Sequence, residues 1–127
     1  MQILVVDDNL VNLTITKKIL EKLGCIVDTV DSGIKCLEQI KNKTYDIIFM
    51  DIMMPEMDGV ETLNNLRSID NFNTPVIALT ADAGVDSREK YLSLGFNEYI
   101  PKPINLEVID NALHKFCWFQ PNRLIFL

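Results

Sequence analysis

Residues 47–50 form a run of four large apolar side chains that ends directly at an acidic residue, Asp51. A short apolar run of this kind is typical of a strand that helices cover on both faces of a parallel sheet. Asp51 is then expected at the carboxyl end of the strand, where the loops of an open parallel sheet surround a ligand. A lone aspartate there is more often a helix cap or a turn residue, so its meaning depends on the residues that follow the other strands.

Apolar runs and segments of helical spacing alternate along the chain. The predicted strands are residues 3–6, 26–30, 47–50, 75–79 and 98–100. Ser32, Asp58 and Asn105 are placed to begin helices. Gly24 and Gly95 are placed to end them. Five strand–helix units in succession predict an α/β domain with a parallel sheet, right-handed crossovers and helices on both faces.

The length and charge of the chain argue against several classes of function. At 127 residues it is expected to be one domain with a core of its own. A net charge of −6, with 12 Lys and Arg residues, argues against direct binding to nucleic acid. No apolar stretch of the sequence approaches the roughly 18 residues of a membrane span, and the first residues lack the basic start of a secretory signal, so we expect a cytoplasmic protein. Three widely spaced cysteines and one histidine support neither a disulfide framework nor a zinc site.

Polar residues follow four of the five predicted strands. Asp7 and Asp8 follow the first strand, Asp51 the third and Thr80 the fourth, and Lys102 comes shortly after the fifth. Because the carboxyl ends of parallel strands meet at one edge of the sheet, these side chains are expected to lie together. Each of these residues could instead be an independent helix cap or turn residue. That interpretation does not explain why all of them are expected at the same edge of the sheet.

The charges of this group indicate a metal ion. Three carboxylates and one lysine leave a charge of −2, which one divalent cation would cancel. Oxygen ligands without His or Cys indicate a hard ion such as Mg²⁺. A carboxylate beside such an ion and a lysine is suited to act as a nucleophile towards phosphorus.

Four motifs then resemble those of a known family. They are Asp7-Asp8, Asp51 with Met54-Pro55 and Asp58-Gly59, Thr80-Ala81, and Lys102-Pro103. In order and spacing they resemble the receiver domain of two-component response regulators, over most of the chain. The resemblance implies a flavodoxin-like, doubly wound α/β fold with five parallel strands in the order 2-1-3-4-5. It implies a receiver domain at residues 1–117 and leaves residues 118–127 as a C-terminal tail of unknown role.

The resemblance also implies roles for individual residues. Asp51 would be the phosphoacceptor, taking a phosphoryl group from a phosphohistidine of a sensor histidine kinase or a histidine phosphotransfer protein. Asp8, Asp51 and the backbone carbonyl of Met53 would bind Mg²⁺ directly, and Asp7 chiefly through water. The chain would then be a signalling switch and not an enzyme, with catalysis limited to its own phosphorylation and dephosphorylation.

The same resemblance implies how the switch works. Lys102 would pair with the acyl phosphate, and its bond to Pro103 would be cis, a geometry accessible to X-Pro bonds. Thr80 would turn its hydroxyl onto a phosphoryl oxygen, aided by the backbone N–H of Ala81. Tyr99 matches the aromatic residue that moves inward as Thr80 moves. The new charge would thereby change a binding surface.

The first helix carries a candidate docking surface. Ile15, Ile19 and Leu23 form an apolar stripe at four-residue spacing, which predicts the buried face. Leu10 falls opposite this stripe and Leu13 on its flank, so both are expected to be exposed beside the acidic edge. They are either the surface on which the helices of the phosphodonor dock, as in the family, or ordinary surface leucines.

Other features indicate which receivers the chain most resembles and how its C-terminal end differs from them. Asn9, Asn12 and the segment 53–59 look more like receivers attached to hybrid sensor histidine kinases than like those of transcription factors. A stand-alone regulator and a piece of a longer protein both fit the composition. Residues 124–127 are apolar, so the tail is expected to fold back, to pair with a second copy or to continue into another domain. His114 is interpreted as a solvated residue, because a phosphotransfer histidine needs a helical bundle of its own.

Two alternative functions stay open at this point. A magnesium-dependent phosphohydrolase or mutase of the haloacid dehalogenase type also uses an Asp nucleophile at the end of a strand. Those enzymes usually have a second Asp two residues later, where this chain has Met53, and a cap domain for which the chain has no room. A non-phosphorylated scaffold receiver is disfavoured because every expected site residue is present.

Overall fold

The computed structural model describes residues 1–117, and the elements below lie within that range. Along the chain they are β1 (Gln2–Val6), α1 (Leu10–Lys22), β2 (Ile26–Val30), α2 (Gly33–Asn42), β3 (Ile47–Asp51), α3 (Gly59–Arg67), β4 (Val76–Thr80), α4 (Ser87–Ser93), β5 (Glu98–Pro101) and α5 (Leu106–Cys117). The strands form a parallel sheet in the order β2-β1-β3-β4-β5. The predicted doubly wound architecture and strand order are confirmed.

Helices cover both faces of the sheet, because alternate residues of each strand point to opposite sides. On one side the strand residues pack against α1 and α5. On the other side they pack against α2, α3 and α4. Every residue of β3 and β4 is buried, as unbroken apolar runs predict for the central strands of such a sheet. The polar residues that end these strands, Asp51 and Thr80, are therefore held by two fully buried strands.

The residues predicted to begin and end helices do so. The side chains of Ser32, Asp58 and Asn105 accept hydrogen bonds from the backbone N–H three residues later, at 3.1, 2.8 and 3.0 Å. Such bonds satisfy N–H groups that lack a partner within the helix. Gly24 and Gly95 follow α1 and α4 with φ angles of 90° and 109°, a conformation that favours glycine.

The buried face of α1 differs from the predicted one. Leu13, Thr16 and Leu20 are buried, whereas Ile15 is 45% exposed. The other two members of the predicted stripe are partly buried against the core. At about 100° per residue, the observed face is rotated by roughly a quarter turn from the predicted stripe. The prediction that Leu13 is exposed is therefore wrong, and the prediction that Leu10 is exposed is confirmed.

Two other apolar residues, Ile34 on α2 and Leu106 on α5, are exposed. At α2 the reason is a close approach to α3: a Cβ atom on Gly33 would lie 2.1 Å from Oγ1 of Thr62. Gly33 and Cys36, one helical turn apart, are both buried. The small residues thus face inwards and turn Ile34 towards solvent.

The remaining sequence predictions concern cysteines, membranes and the C-terminal end. Cys25 and Cys36 are buried in the cores on opposite sides of the sheet. Within residues 1–117, no helix is both long enough and apolar enough to cross a membrane. His114 is half-buried, with Nδ1 2.9 Å from the carbonyl oxygen of Asp110, so it is less solvated than expected. The predictions for the tail fall on residues 118–127, which lie outside the described residues.

Candidate functional site

Acidic residues at the ends of β1 and β3 meet at the carboxyl edge of the sheet. The two strands are neighbours, with Val6 opposite Met50, so the next residues along them are Asp7 and Asp51. Asp7, Asp8 and Asp51 each offer a carboxylate oxygen, and these oxygens all lie within 4.8 Å of one another. Asp7 and Asp51 are buried and Asp8 is exposed. The structure thus brings together the three carboxylates selected from the sequence.

Lys102 reaches these carboxylates from the loop after β5. Its Nζ donates a hydrogen bond to Oδ1 of Asp51 at 2.8 Å and lies 3.4 Å from Oδ2 of Asp7. The Lys102 backbone N–H donates to the carbonyl oxygen of Thr80 at 2.7 Å, which continues the pairing of β4 and β5 beyond the strand end. The peptide bond between Lys102 and Pro103 is cis, as the resemblance implies.

Burial raises the pKa of Asp51 to about 6, because a buried carboxylate loses its hydration. The hydrogen bond from Lys102 opposes this rise, and the negative charge of Asp7 adds to it. Burial opposes the charge of Lys102, but its attraction to Asp51 and Asp7 outweighs burial and raises the pKa of this lysine. A lysine partner by itself would lower the pKa of an acid. The raised pKa of Asp51 therefore reflects burial first, and then the negative charge of Asp7, which together outweigh the bond from Lys102.

This excess charge and the ligand type fit a hard divalent cation. Asp7, Asp8 and Asp51 supply oxygen atoms, which Mg²⁺ prefers over nitrogen and sulfur. The exposure of Asp8 leaves one side of the cluster open to water and to phosphate oxygens. Met53 lies in the loop directly after β3, with its side chain 77% exposed. A bound cation would also displace the proton that Asp51 carries below its pKa.

Gly59 brings the loop after β3 back against the strand. A Cβ atom at this position would lie 2.5 Å from the backbone oxygen of Asp51 and 2.8 Å from Cα of Ile52. The Gly59 N–H donates a hydrogen bond to the carbonyl oxygen of Ile52 at 2.8 Å. The Asp58-Gly59 motif therefore needs its glycine for space beside the acidic cluster, and its aspartate to begin α3.

Thr80 ends β4 next to the end of β3, where Asp51 pairs with Leu79. The buried Thr80 hydroxyl lies 3.3 Å from the hydroxyl of Tyr91. It also accepts a hydrogen bond from the backbone N–H of Asp82 at 3.1 Å. The residue after Thr80, Ala81, is exposed in the loop that leads to α4.

Tyr99 lies on β5 and is half-buried. Its hydroxyl donates a hydrogen bond to the carbonyl oxygen of Asp82 at 3.2 Å. Its ring stacks on that of Tyr91, with centroids 5.7 Å apart and an angle of 11° between the planes. No pattern in the sequence predicted that Tyr91 belongs to this region. Its aromatic side chain could have indicated a buried position. However, a helix of only seven residues is too short for the sequence pattern to show which face is buried.

Apolar side chains of α1 are exposed next to the acidic cluster. Leu10, Val11 and Ile15 are 70%, 66% and 45% exposed. A groove of about 340 Å³ lies between α1 and the loop after β5, and Asp7 and Lys102 are among the residues that line it. The exposed apolar surface of α1 is thus continuous with the site.

A parallel sheet in this order, with carboxylates at the ends of β1 and β3 and a lysine after β5, defines a doubly wound α/β domain with an acidic site at the carboxyl edge of the sheet. The family model of the response regulator receiver domain matches residues 3–114. The chain belongs to this family, whose members are the receiver domains of two-component signalling. The alternative of a haloacid dehalogenase type enzyme is thereby rejected.

Curated relatives of the chain are histidine kinases. The chain is 38% identical to the signal transduction histidine-protein kinase BarA of Escherichia coli, with 91% of the chain and 13% of that protein covered. It is 37% identical to the hybrid signal transduction histidine kinase B of Dictyostelium discoideum, with 81% and 6% covered. The chain therefore spans a small part of the length of these relatives. Its predicted likeness to receivers of hybrid histidine kinases is confirmed.

Solved structures lead to the same family. The receiver domain of the sensor histidine kinase PA1611 from Pseudomonas aeruginosa is 35% identical, with a TM-score of 0.82 and with 91% of this chain and 95% of that chain covered. That receiver was crystallised with a magnesium ion in its active-site cleft. Full-length ShkA in complex with AMPPNP is 34% identical, with a TM-score of 0.80 and with 91% and 24% covered.

Proposed function

We propose that residues 1–117 form a phosphorylation-dependent signalling switch in which Asp51 is the phosphoacceptor. The position of Asp51 is the observation that most supports this proposal. It is buried at the end of β3, its Oδ1 lies 2.8 Å from Nζ of Lys102, and two other carboxylates are within 4.8 Å. A carboxylate in such surroundings is suited to attack phosphorus once a divalent cation balances the remaining charge.

The phosphoryl group comes from a phosphohistidine of a sensor histidine kinase or of a histidine phosphotransfer protein. The P–N bond to the donor imidazole breaks as a P–O bond to Asp51 forms, and the imidazole nitrogen takes up a proton from solvent. Lys102 pairs with the acyl phosphate that results. Asp8, Asp51 and the backbone carbonyl of Met53 would hold Mg²⁺ directly and Asp7 chiefly through water, and the ion would neutralise charge on the phosphoryl oxygens. The magnesium-bound receiver of PA1611 supports this choice of ion.

Thr80, Ala81 and Tyr99 convert the modification into a change of surface. The Thr80 hydroxyl and the Ala81 backbone N–H bind the phosphoryl group, and Tyr99 moves inward with them. The hydrogen bond from Tyr99 to the carbonyl oxygen of Asp82 supports this coupling, because it joins the ring to the loop that would move. The altered surface consists of α4, β5 and α5. The chain acts on no separate substrate, since hydrolysis of the acyl phosphate returns it to its starting form.

Phosphorylation by a small donor tests this proposal. The protein is incubated with acetyl phosphate and Mg²⁺, and the modified peptide is located by mass spectrometry. We expect modification at Asp51 in the wild type and none in Asp51→Asn. The matched control is Asp28→Asn, which removes a carboxylate paired with another lysine, Lys43, and should be modified normally. Modification of another residue would contradict the proposal, and an unmodified wild type would favour the scaffold alternative.

The exposed face of α1 is the proposed docking surface for the phosphodonor. Leu10, Val11 and Ile15 lie beside the acidic cluster, so a donor helix that buries them also brings its phosphohistidine close to Asp51. Since sensor kinases form phosphohistidine from ATP inside the cell, the proposal places this chain in the cytoplasm. A direct role for Leu13 is withdrawn, because its side chain is buried.

The docking surface is tested with Ile15→Asp. We expect transfer from a phosphohistidine donor to slow about tenfold or more, because a charge replaces apolar contact area, while phosphorylation by acetyl phosphate is unchanged. The control is Ile26→Asp, another exposed isoleucine, 58% exposed on the edge strand β2, which should not slow transfer. Equal slowing in the two variants would contradict the proposal that the phosphodonor docks on α1.

A further inference from the structure

A buried tyrosine of α4 contacts the threonine that ends β4. Tyr91 is 4% exposed, and its hydroxyl lies 3.3 Å from Oγ1 of Thr80 and 3.5 Å from Oδ2 of Asp82. The Thr80 hydroxyl also accepts a hydrogen bond from the Asp82 backbone N–H. The Thr80 hydroxyl is thus bonded to its own loop and to α4.

The ring of Tyr91 is held on several sides. It stacks on Tyr99, meets the edge of Phe96 with centroids 6.1 Å apart, and has Nζ of Lys90 5.2 Å from its centroid. It also belongs to the core between the sheet and α4. Aromatic and cation–π contacts of this kind hold the ring in place, so the phenolic oxygen has a defined position beside Thr80.

We propose that Tyr91 is a positioning residue that holds the Thr80 hydroxyl in the unphosphorylated form and so sets how readily Asp51 accepts a phosphoryl group. This inference rests on the proposed function, in which Thr80 turns towards the phosphoryl group on Asp51. When Thr80 turns, its contact with Tyr91 is lost, and the Asp82 carboxylate 3.5 Å away is the partner that the phenol retains. The free energy of the Thr80–Tyr91 contact therefore opposes phosphorylation.

Tyr91 contacts both residues of the proposed switch. Its hydroxyl is next to Thr80, and its ring lies on Tyr99. An inward movement of Tyr99 would alter the stack at the same time as Thr80 leaves the phenol. The two movements are then coupled through one side chain of α4, which is part of the surface proposed to change.

The test is the affinity of the protein for beryllofluoride, a phosphoryl mimic, in the presence of Mg²⁺. Tyr91→Phe removes the hydroxyl and keeps the ring with its packing. We expect it to bind beryllofluoride about three- to tenfold more tightly than the wild type, the factor that corresponds to one lost hydrogen bond in the unbound form. The control is Tyr45→Phe, which removes the hydroxyl of another buried tyrosine, bonded to Asp28, and should leave the affinity unchanged.

A double-mutant cycle with Thr80→Val separates a positioning role from a general structural role. In the Thr80→Val background, Tyr91→Phe should change the affinity by less than about twofold, because the contact it removes is already absent. An equal gain in both backgrounds, or no gain in the single variant, would overturn the inference. Failure of the wild type to bind beryllofluoride with Mg²⁺ would overturn the proposed function and this inference with it. A wild type that binds as tightly as Tyr91→Phe overturns the inference alone.

Discussion

Two carboxylates of this sheet are each bonded to a lysine, yet their pKa values shift in opposite directions. Asp28 on β2 accepts hydrogen bonds from Lys43 at 2.7 Å and from the hydroxyl of Tyr45 at 2.6 Å, and these bonds lower its pKa. Asp51 on β3 accepts a similar bond at 2.8 Å, but burial raises its pKa to about 6. Asp28 is partly exposed on an edge strand, whereas Asp51 lies on a central strand beside a second buried carboxylate.

The difference shows what separates a structural ion pair from a candidate reactive site. At Asp28 two donors bind Oδ2 of the carboxylate, and the hydroxyl of Tyr45 accepts in turn from Gln39 at 2.8 Å. Burial, followed by the hydrogen bond to Asp28, raises the pKa of Tyr45 to about 12, so it stays a donor. At Asp51 the negative charge exceeds the positive charge, which favours a proton or a cation. The second arrangement can bind and react, and the first stabilises the fold.

The largest difference is expected when each carboxylate loses its lysine. Lys102→Met should slow phosphorylation by acetyl phosphate on the order of a hundredfold, because no cationic side chain then pairs with the acyl phosphate. Lys43→Met removes the same charge at Asp28 and should leave the rate within about twofold. The rates are measured by following the phosphorylated protein over time with Mg²⁺ present. Equal slowing in the two variants would contradict the proposed difference between Asp51 and Asp28.

The pH dependence of magnesium binding should show the raised pKa of Asp51. Below about pH 6 a proton competes with the ion, so the affinity for Mg²⁺ should fall roughly tenfold per pH unit, and it should level off above that pH. Isothermal titration calorimetry with Mg²⁺ at several pH values gives this profile. Asp28→Asn should keep the step and Asp51→Asn should lose it. A flat profile in the wild type would show that Asp51 is already ionised.

The smallest expected effect concerns stability. The folded pKa of Asp28 lies below its unfolded value, so its contribution is present at neutral pH and is lost as the pH falls through the folded pKa. Asp28→Asn should lower the free energy of unfolding by about 1 kcal/mol or less at neutral pH, and by less at about pH 3. Urea unfolding at the two pH values measures this. A loss that is independent of pH would mean that the charge of Asp28 is irrelevant.

Asp51→Asn should show the opposite dependence in metal-free protein. Because the folded pKa of Asp51 is raised, its contribution to stability is lost as the pH rises towards that pKa. The stability of Asp51→Asn relative to the wild type should therefore rise between about pH 4 and about pH 7. Urea unfolding of both proteins across this range, with a chelator present, is the measurement. The same pH dependence in Asp51→Asn and Asp28→Asn would contradict the opposite pKa shifts of the two carboxylates.

The fold was predictable from the sequence where burial is complete. The central strands β3 and β4 are buried along their whole length, and their apolar runs in the sequence predict this burial. Helix α1 was not predictable to the same degree. Its apolar residues surround most of its circumference, and the buried face includes Thr16, so spacing could not distinguish Leu13 from Ile15.

The residues of the candidate site likewise divide into those that the sequence predicts and those that it does not. Asp7, Asp8, Asp51 and Lys102 were predicted together because each follows a strand, and parallel strands end at one edge. Tyr91 was not predicted because it comes from the middle of α4, 11 residues from Thr80. Its contact depends on how α4 packs on the sheet, and strand order carries no information about that.

The sequence by itself determined which residues end at the carboxyl edge of the sheet, since strand boundaries follow from local patterns of apolar and polar residues. The tertiary structure decided which face of α1 is exposed, which tyrosine contacts Thr80, and that Asp51 has a raised and Asp28 a lowered pKa. These properties depend on burial and on the distances between charges from distant segments. Such quantities are fixed when the helices pack on the sheet, and they have no counterpart in the spacing of residues along the chain.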